Sequence, residues 1–360
     1  MKAIVLAGGE GTRLRPLTGT RPKSLMPVAD RPCIDYILRS LVTAGIKKII
    51  IATHYLSDRL IKAIGDGLEY DASILYSFEE TPAGTAGAVK RVEDFIDNTF
   101  VVTMGDIVAD VDIGALVEFH RKRKAAATIA LTRVDDPSQY GVAAIDENGR
   151  IKRFQEKPRR EEAFSDLVNA GIYVLERRVI EFIPEDKMFD FSKHLFPLLL
   201  SKRIPVYGTV LDGVWMDIGR PGDLLRASLE MVSRQGKEMK IPGVRASGRV
   251  MLRDNVSVGE GAEIEGPCYI GSGVSIGAGA VVRRSCLQDG VVIGPKVALS
   301  DTLVLEGTTI DQNTEVAESV VASRCHIGEG SHITASVMGD DVVVGPNTTL
   351  REVTLPEVKG

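Results

Sequence analysis

From about Gly243 to the C-terminus, an apolar residue followed by a small or turn-forming one returns at a nearly constant interval. The pairs are Val258-Gly259, Ile276-Gly277, Ile293-Gly294, Ile310-Asp311, Ile327-Gly328 and Val344-Gly345, with successive spacings of 18, 17, 17, 17 and 17. A second apolar column follows six residues on, at Ile264, Val282, Leu299, Val316, Ile333 and Leu350. A third falls at Leu287, Val304, Val321 and Met338. Three inward residues per coil describe a triangular prism, the geometry of a parallel β-helix built from hexapeptide units. The runs Gly259-Glu260-Gly261, Gly277-Ala278-Gly279 and Gly345-Pro346-Asn347 suit its tight corners. An ordinary β-sandwich is the alternative, and coils in register over this length argue against it.

The first two-thirds of the chain follow a different grammar. Apolar, β-rich runs occur at Lys2–Leu6, Lys48–Ala52, Ser73–Ser77, Phe100–Thr103 and Ala127–Leu131. Helical patterns lie at Cys33–Ala44, Ser57–Ile64, Thr85–Val92 and Gly114–Lys124. This alternation predicts an α/β, Rossmann-like, mainly parallel sheet with helices on both faces. The expected domains are residues 1–235 and, for the β-helix, 244–360. In such sheets ligands bind beyond the carboxyl ends of the strands, which singles out the loops after Leu6 and after Met104.

Composition excludes several classes. Lys plus Arg number 44 against 49 Asp plus Glu, a net charge of −5, which gives no support for a nucleic-acid or membrane-surface partner. No apolar run approaches the roughly 18 residues of a membrane span, and the N-terminal apolar run is too short for a signal-peptide core. Cys33, Cys268, Cys286 and Cys325 show no paired spacing, so a disulfide framework or metal cluster is not expected and a cytoplasmic setting is.

The loop after the first strand reads Leu6-Ala7-Gly8-Gly9-Glu10-Gly11-Thr12-Arg13-Leu14-Arg15-Pro16-Leu17-Thr18. Glycines let successive amides approach a phosphate and form an anion nest. Arg13 and Arg15 add positive charge beside it, and Lys23, just after Pro22, can return across the loop. A dinucleotide fold would need Gly-x-Gly-x-x-Gly opening a helix, but Pro16 and Thr18 interrupt any helix here. The lysine of a Walker loop is missing.

At these residues the chain resembles the sugar-1-phosphate nucleotidyltransferases. The signature is Gly8-Gly9-x-Gly11-Thr12-Arg13-Leu14-x-Pro16-Leu17-Thr18 followed by Pro22-Lys23, with Ser24 departing from the usual Pro or Ala. The resemblance covers the whole chain, because many members carry a C-terminal left-handed β-helix, which the repeat resembles. It implies that Arg13 and Lys23 contact the phosphates of a nucleoside triphosphate. Leu6, Ala7, Gly8, Gly9, Gly11 and Thr12 would line the nucleotide. Met104-Gly105-Asp106 and Trp215-Met216-Asp217-Ile218-Gly219 are similar to segments carrying the family's metal pair, so Asp106 and Asp217 would hold Mg²⁺, a hard cation that takes oxygen ligands. The nearby Asp110 and Asp112 read instead as a turn and a helix cap.

Phe154-Gln155-Glu156-Lys157-Pro158 is similar to the motif in which a lysine neutralises the sugar 1-phosphate and a glutamate meets sugar hydroxyls. Tyr140-Gly141-Val142 and Asn169-Ala170-Gly171-Ile172-Tyr173 resemble sugar-binding segments, which adds Gly141 and Asn169 to the sugar-phosphate set. In Thr81–Ala88, Gly84 would let a base approach and Thr85 would cap the following helix. That segment and the Trp215–Gly219 ending are most similar to mannose-1-phosphate guanylyltransferases. Glucose-1-phosphate thymidylyl- and uridylyltransferases share most of the motifs. Two further alternatives are a bifunctional uridylyltransferase and acetyltransferase, with His326 and His332 as tempting bases, and a non-catalytic regulator that binds nucleotide sugars. Exposed coil faces lead us to expect a homo-oligomer assembled through the β-helix.

Overall fold

The computed structural model describes residues 1–185, 187–240 and 242–356. The chain gathers into two compact units. One combines Met1–Gly9 with Cys33–Met216, and the other combines Glu10–Pro32 with the chain from Asp217 onward.

The first unit is built on a nine-stranded sheet. Lys2–Leu6 lies at its centre, parallel to Lys48–Thr53 on one side and to Phe100–Met104 on the other. Ser73–Phe78 continues the parallel set. A strand buried on both faces needs an unbroken apolar run, and Ala3, Ile4 and Val5 are fully buried. Beyond Phe100–Met104 the direction reverses. Leu167–Leu175 runs antiparallel to it and also pairs with Ala127–Arg133 and Gly141–Ile145. Ile151–Glu156 completes that side against Gly141–Ile145.

Helices α1 (Cys33–Thr43), α2 (Ser57–Ile64), α3 (Thr85–Lys90) and α4 (Ile113–Arg123) fall where periodicity places them. Asp112 caps α4, its carboxylate accepting from Ala115 N at 2.9 Å. Asp110 is not a turn residue. It lies within the Ile107–Val111 strand, which pairs with Gly213–Asp217. The apolar run around it is too short for its alternation to be read from the sequence.

The second unit contains the β-helix, with helices α5 (Phe196–Ser201) belonging to the first unit and α6 (Pro221–Gln235) to the second. Each apolar column is one inward row of a parallel sheet. Val258, Ile276, Ile293, Ile310, Ile327 and Val344 are direct register partners. So are Ile264, Val282, Leu299, Val316, Ile333 and Leu350. The third row runs Ile270, Leu287, Val304, Val321, Met338. One corner takes a left-handed residue in every coil: Gly261, Gly279, Lys296, Asn313, Gly330 and Asn347, with φ between +56° and +72°.

Polar groups at another corner are satisfied by a stacked hydroxyl ladder. Ser285 Oγ accepts from Thr302 N, Ser319 Oγ from Ser336 N and Ser336 Oγ from Val353 N, each at 3.1 Å. Every one of these hydroxyls is buried, so the ladder answers the requirement that buried amides find partners.

Ile293 is sealed between Ile276 and Ile310, while its neighbour Val292 points outward and is 42% exposed. Ile293→Ala is therefore expected to destabilise the protein by about 2–5 kcal/mol, and Val292→Thr by no more than about 0.5 kcal/mol. Urea unfolding of the two variants checks the inward–outward assignment.

Candidate active site

In the second unit the glycine-rich loop is a chain of three short turns, Thr12–Leu14, Leu17–Gly19 and Lys23–Leu25. Leu14 and Leu17 are buried anchors between them. Gly11 begins the series at φ +64°, and a Cβ there would stand 3.0 Å from Thr18 Cγ2 and 3.1 Å from Lys23 Cβ. The loop thus folds back on itself where only glycine fits. Thr18 Oγ1 donates to Gly11 O at 2.9 Å and closes the fold. Thr12 O accepts from Arg15 N in the first turn.

This folding carries Lys23 into the interior. Its side chain is 9% exposed, and Nζ lies 3.7 Å from Asp217 Oδ1. A buried ammonium needs such a counter-charge, because desolvating it alone is costly. Arg13 joins them: a Cβ on Gly219 would sit 3.4 Å from Arg13 Nη1 and 3.4 Å from Asp217 Oδ2. Asp223 accepts from Gly219 N at 3.0 Å and Arg220 N at 2.7 Å, which fixes the turn that presents Asp217 at the head of α6. Arg13, Lys23 and Asp217, three residues singled out by motif, are thus brought together. Arg15 is not part of the group. Its guanidinium is surface-exposed and pairs with Glu10 at 3.2 Å.

In the first unit Leu6 and Ala7 end the central strand, with Ala7 N donating to Ala52 O and Gly105 N to Leu6 O, both at 2.8 Å. Gly8 and Gly9 follow. A Cβ on Gly8 would lie 3.4 Å from Glu79 Oε2. Glu79 also accepts from Ala83 N at 3.4 Å, so it ties the strand end to the segment leading into α3. Asp106 follows Gly105, whose missing Cβ admits Val5 Cγ1 and Ala7 near 3.1–3.2 Å. Asp106 is therefore held at the carboxyl end of the Phe100–Met104 strand.

The start of α3 differs from expectation. Thr85 does not cap the helix. It is the first helical residue, and the caps come from a distant segment: Thr85 N donates to Asp190 Oδ1, and Ala86 N and Gly87 N donate to Phe189 O. Gly84 has φ +78°, and a Cβ there would fall 2.8–2.9 Å from the Phe189 backbone. Close approach of Phe189 alone demands glycine at this position.

The sugar-phosphate candidates form a second group in this unit. Gly141 and Glu156 face each other across an antiparallel pair, and a Cβ on Gly141 would stand 2.8 Å from Glu156 Oε2. Lys157 N donates to Tyr140 O at 2.9 Å, with Lys157 at φ +45° as the chain leaves the strand. Asn169 Nδ2 donates to Tyr173 OH at 2.9 Å and Ser192 Oγ at 2.8 Å, and Asn169 Oδ1 accepts from Gly171 N at 2.9 Å. These bonds sit at the register shift within Leu167–Leu175. Trp215 Nε1 donates to Ala170 O at 2.7 Å and its ring meets Tyr140 edge-on.

Burial pushes the Glu156 carboxyl above the usual carboxylate range, against the pull of Lys157 and Lys193. Ser192 lies on the five-residue π-helix Phe191–Leu195, a form often found at functional sites. Motif reading missed Glu79, Asp190 and Ser192, since each acts on a partner far away in sequence.

Comparison with known proteins adds the family. The profile of the nucleotidyl transferase family matches residues 2–234. The chain belongs to that family. The left-handed β-helix (LbH) domain of EIF2B subunit epsilon matches residues 247–350. A UTP–glucose-1-phosphate uridylyltransferase of Synechocystis is 36% identical over 336 residues, covering 84% of this chain and 87% of its own. A mannose-1-phosphate guanylyltransferase of Mycobacterium tuberculosis is 36% identical over 291 residues, covering 80% of each. The crystal structure of a Bacillus anthracis chain described as a glucose-1-phosphate thymidylyltransferase superposes with a TM-score of 0.59 at 31% identity, over 67% of this chain and 98% of that one.

Glu156 provides a test of the electrostatics of this second group of candidates. Its folded-state pKa is raised, so its contribution to stability is greatest below its unfolded pKa and declines as pH rises through the folded value. Glu156→Gln removes the ionisation. It is expected to be more stable than the parent at pH 7, with the gap shrinking as pH falls toward about 4. Thermal unfolding across that range reads the trend, and a gap that widens on acidification would contradict the assignment.

Proposed function

We propose that the protein condenses a nucleoside triphosphate with a sugar 1-phosphate, releasing pyrophosphate and a nucleotide sugar. The observation that carries this reading is the buried Lys23–Asp217 pair with Arg13 beside it, under a loop that folds only around Gly11. Two cations held at a glycine-rich turn match a polyanionic ligand. In the other unit, Glu156, Lys157 and Asn169 combine hydroxyl-binding groups with an exposed cation, which matches a phosphorylated sugar.

The reaction is a direct displacement. An oxygen of the sugar phosphate forms a bond to the α-phosphorus, the bond from that phosphorus to the α,β-bridging oxygen breaks, and the electron pair leaves with pyrophosphate. The attacking phosphate is already anionic, so no strong general base is needed. Rate enhancement comes from positioning and charge neutralisation. Lys157 holds the nucleophile, Glu156 and Asn169 orient the sugar, and Arg13 and Lys23 meet charge on the triphosphate.

Asp106 and Asp217 each offer hard carboxylate oxygens of the kind Mg²⁺ accepts alongside substrate phosphates. When bound, that ion would neutralise charge accumulating on the phosphates.

GTP and mannose 1-phosphate are the preferred pair in this reading, supported by the Gly84-Thr85-Ala86-Gly87 and Trp215–Gly219 segments and by relatives named mannose-1-phosphate guanylyltransferase. The first-named relative, a UTP–glucose-1-phosphate enzyme, keeps uridylyl transfer as the rival pairing. A reducing cytoplasmic setting suits four buried free thiols. Self-association through the β-helix belongs to the same reading, and a monomeric mass by light scattering at micromolar concentration would refute it.

Pyrophosphate release from a matrix of four triphosphates and several sugar 1-phosphates decides the substrates. Lys23→Met and Asp106→Asn are each expected to lower turnover about 10²–10³-fold with the fold intact by circular dichroism. Near-normal turnover in either variant removes that residue from the mechanism.

A further inference from the structure

The phosphate loop and the β-helix share one compact unit, and the contacts between them are ordered. One edge of the prism lies one or two residues past its third apolar row. From that edge Arg253 Nη2 donates to Asp30 Oδ2 at 2.7 Å. On later coils Gln288 Nε2 donates to Ala29 O at 3.0 Å, and Glu306 accepts from Arg21. Further on, Asp340 Oδ2 accepts from Thr20 Oγ1 at 2.5 Å. Beside it Gly339 has no room for a Cβ, which would meet Pro16 at 3.0 Å. As the coils advance from Arg253 to Asp340, the loop runs backward from Asp30 to Pro16. The segment is laid along the edge and fastened from four coils.

The fastening is selective. Ala29 adopts φ +50°. Its amide is held by Ser228 Oγ of α6 at 3.0 Å and its carbonyl by Gln288, a polar side chain 8% exposed. Arg21 and Glu306 are both partly buried, so their pairing is less screened than a surface bridge. Burial works to raise the Glu306 carboxyl and the Arg21 guanidinium outweighs it, leaving Glu306 an anion. Arg21 stands two residues from Lys23, and Pro16 three from Arg13.

We propose that Gln288, Glu306 and Asp340 are positioning residues for Arg13 and Lys23, so that the β-helix sets how the loop receives a triphosphate. This rests on the nucleotidyl-transfer reading above and gives the coils a task in the reaction itself. A misplacement on the order of 1 Å at such a site can cost about 10²-fold in rate.

Three variants of the full chain test it. Glu306→Arg and Arg21→Glu each set like charges together and are expected to lower kcat/KM for the triphosphate at least about 10-fold. The KM for the sugar 1-phosphate should stay within about twofold, and R21E/E306R should recover to within about threefold of the parent, because the two changes share one contact. Amide hydrogen exchange in residues 16–30 should quicken in E306R and slow again in the double variant, with the inner coil rows unchanged. A double variant no better than E306R, or a KM for the sugar 1-phosphate that rises as much as the KM for the triphosphate, overturns the proposal. Should the parent release no pyrophosphate with any pair, the functional reading fails by itself. Hydrogen exchange then decides the fastening, and unaltered exchange in residues 16–30 overturns it.

Discussion

Placing an ammonium group inside a protein is unfavourable unless a carboxylate accompanies it, and that requirement organises the second unit. Lys23 is buried, so Asp217 must stand beside it. Asp217 closes a strand, and the turn that follows is held by Asp223 at the start of α6. Lys23 itself reaches the interior only because Gly11 lets the loop double back. Two distant stretches of sequence, Gly11–Lys23 and Asp217–Asp223, are therefore committed to one electrostatic arrangement. Arg13 Nη1 lies at the same turn, 3.4 Å from where a Gly219 Cβ would stand.

The β-helix is the complementary device. Its rows of stacked Ile, Val and Leu make it self-supporting, because each coil buries its inward residues against those above and below. Its outward residues are then free to differ from coil to coil. On one edge two adjacent positions of the repeat carry Arg253, Gln288, Glu306 and Asp340, which differ in charge and match different loop groups. A regular scaffold carrying irregular side chains can hold an irregular loop.

The difference between what could and could not be read in the sequence follows from the range of the interactions. The coil rows were legible because every coil states the same rule, and register errors would move Ile293 to the surface. The candidate segments Gly8–Lys23, Asp106 and Glu156-Lys157 could be singled out because each signature is contiguous in sequence, whereas the contact of Lys23 with Asp217 could not be read there. The cap of α3 was not: Asp190 and Phe189 lie about a hundred residues from Thr85 and carry no local pattern. Glu306 meets Arg21 across 285 positions, and nothing in either segment names the other. Asp110 reads as a turn from its composition but sits in a strand, where pairing with Gly213–Asp217 overrides local preference.

The two groups of site residues are tuned in opposite senses, and the tuning matches the ligands proposed for them. Around Lys23 the buried charge is a cation with the Asp217 carboxylate 3.7 Å away, a setting that the proposed polyphosphate would suit. Around Glu156 the buried group is a carboxyl whose burial disfavours its charge, while the exposed Lys157 lies one residue on. A sugar 1-phosphate presents both needs at once, neutral hydroxyls at one end and an anion at the other. Desolvation raises the Glu156 carboxyl from its ordinary value, and as a carboxylate it accepts hydrogen bonds from hydroxyls. In the proposed function the half-buried Glu156 would face the hydroxyls and the exposed Lys157 the phosphate, so adjacent residues of opposite charge would serve opposite ends of one ligand.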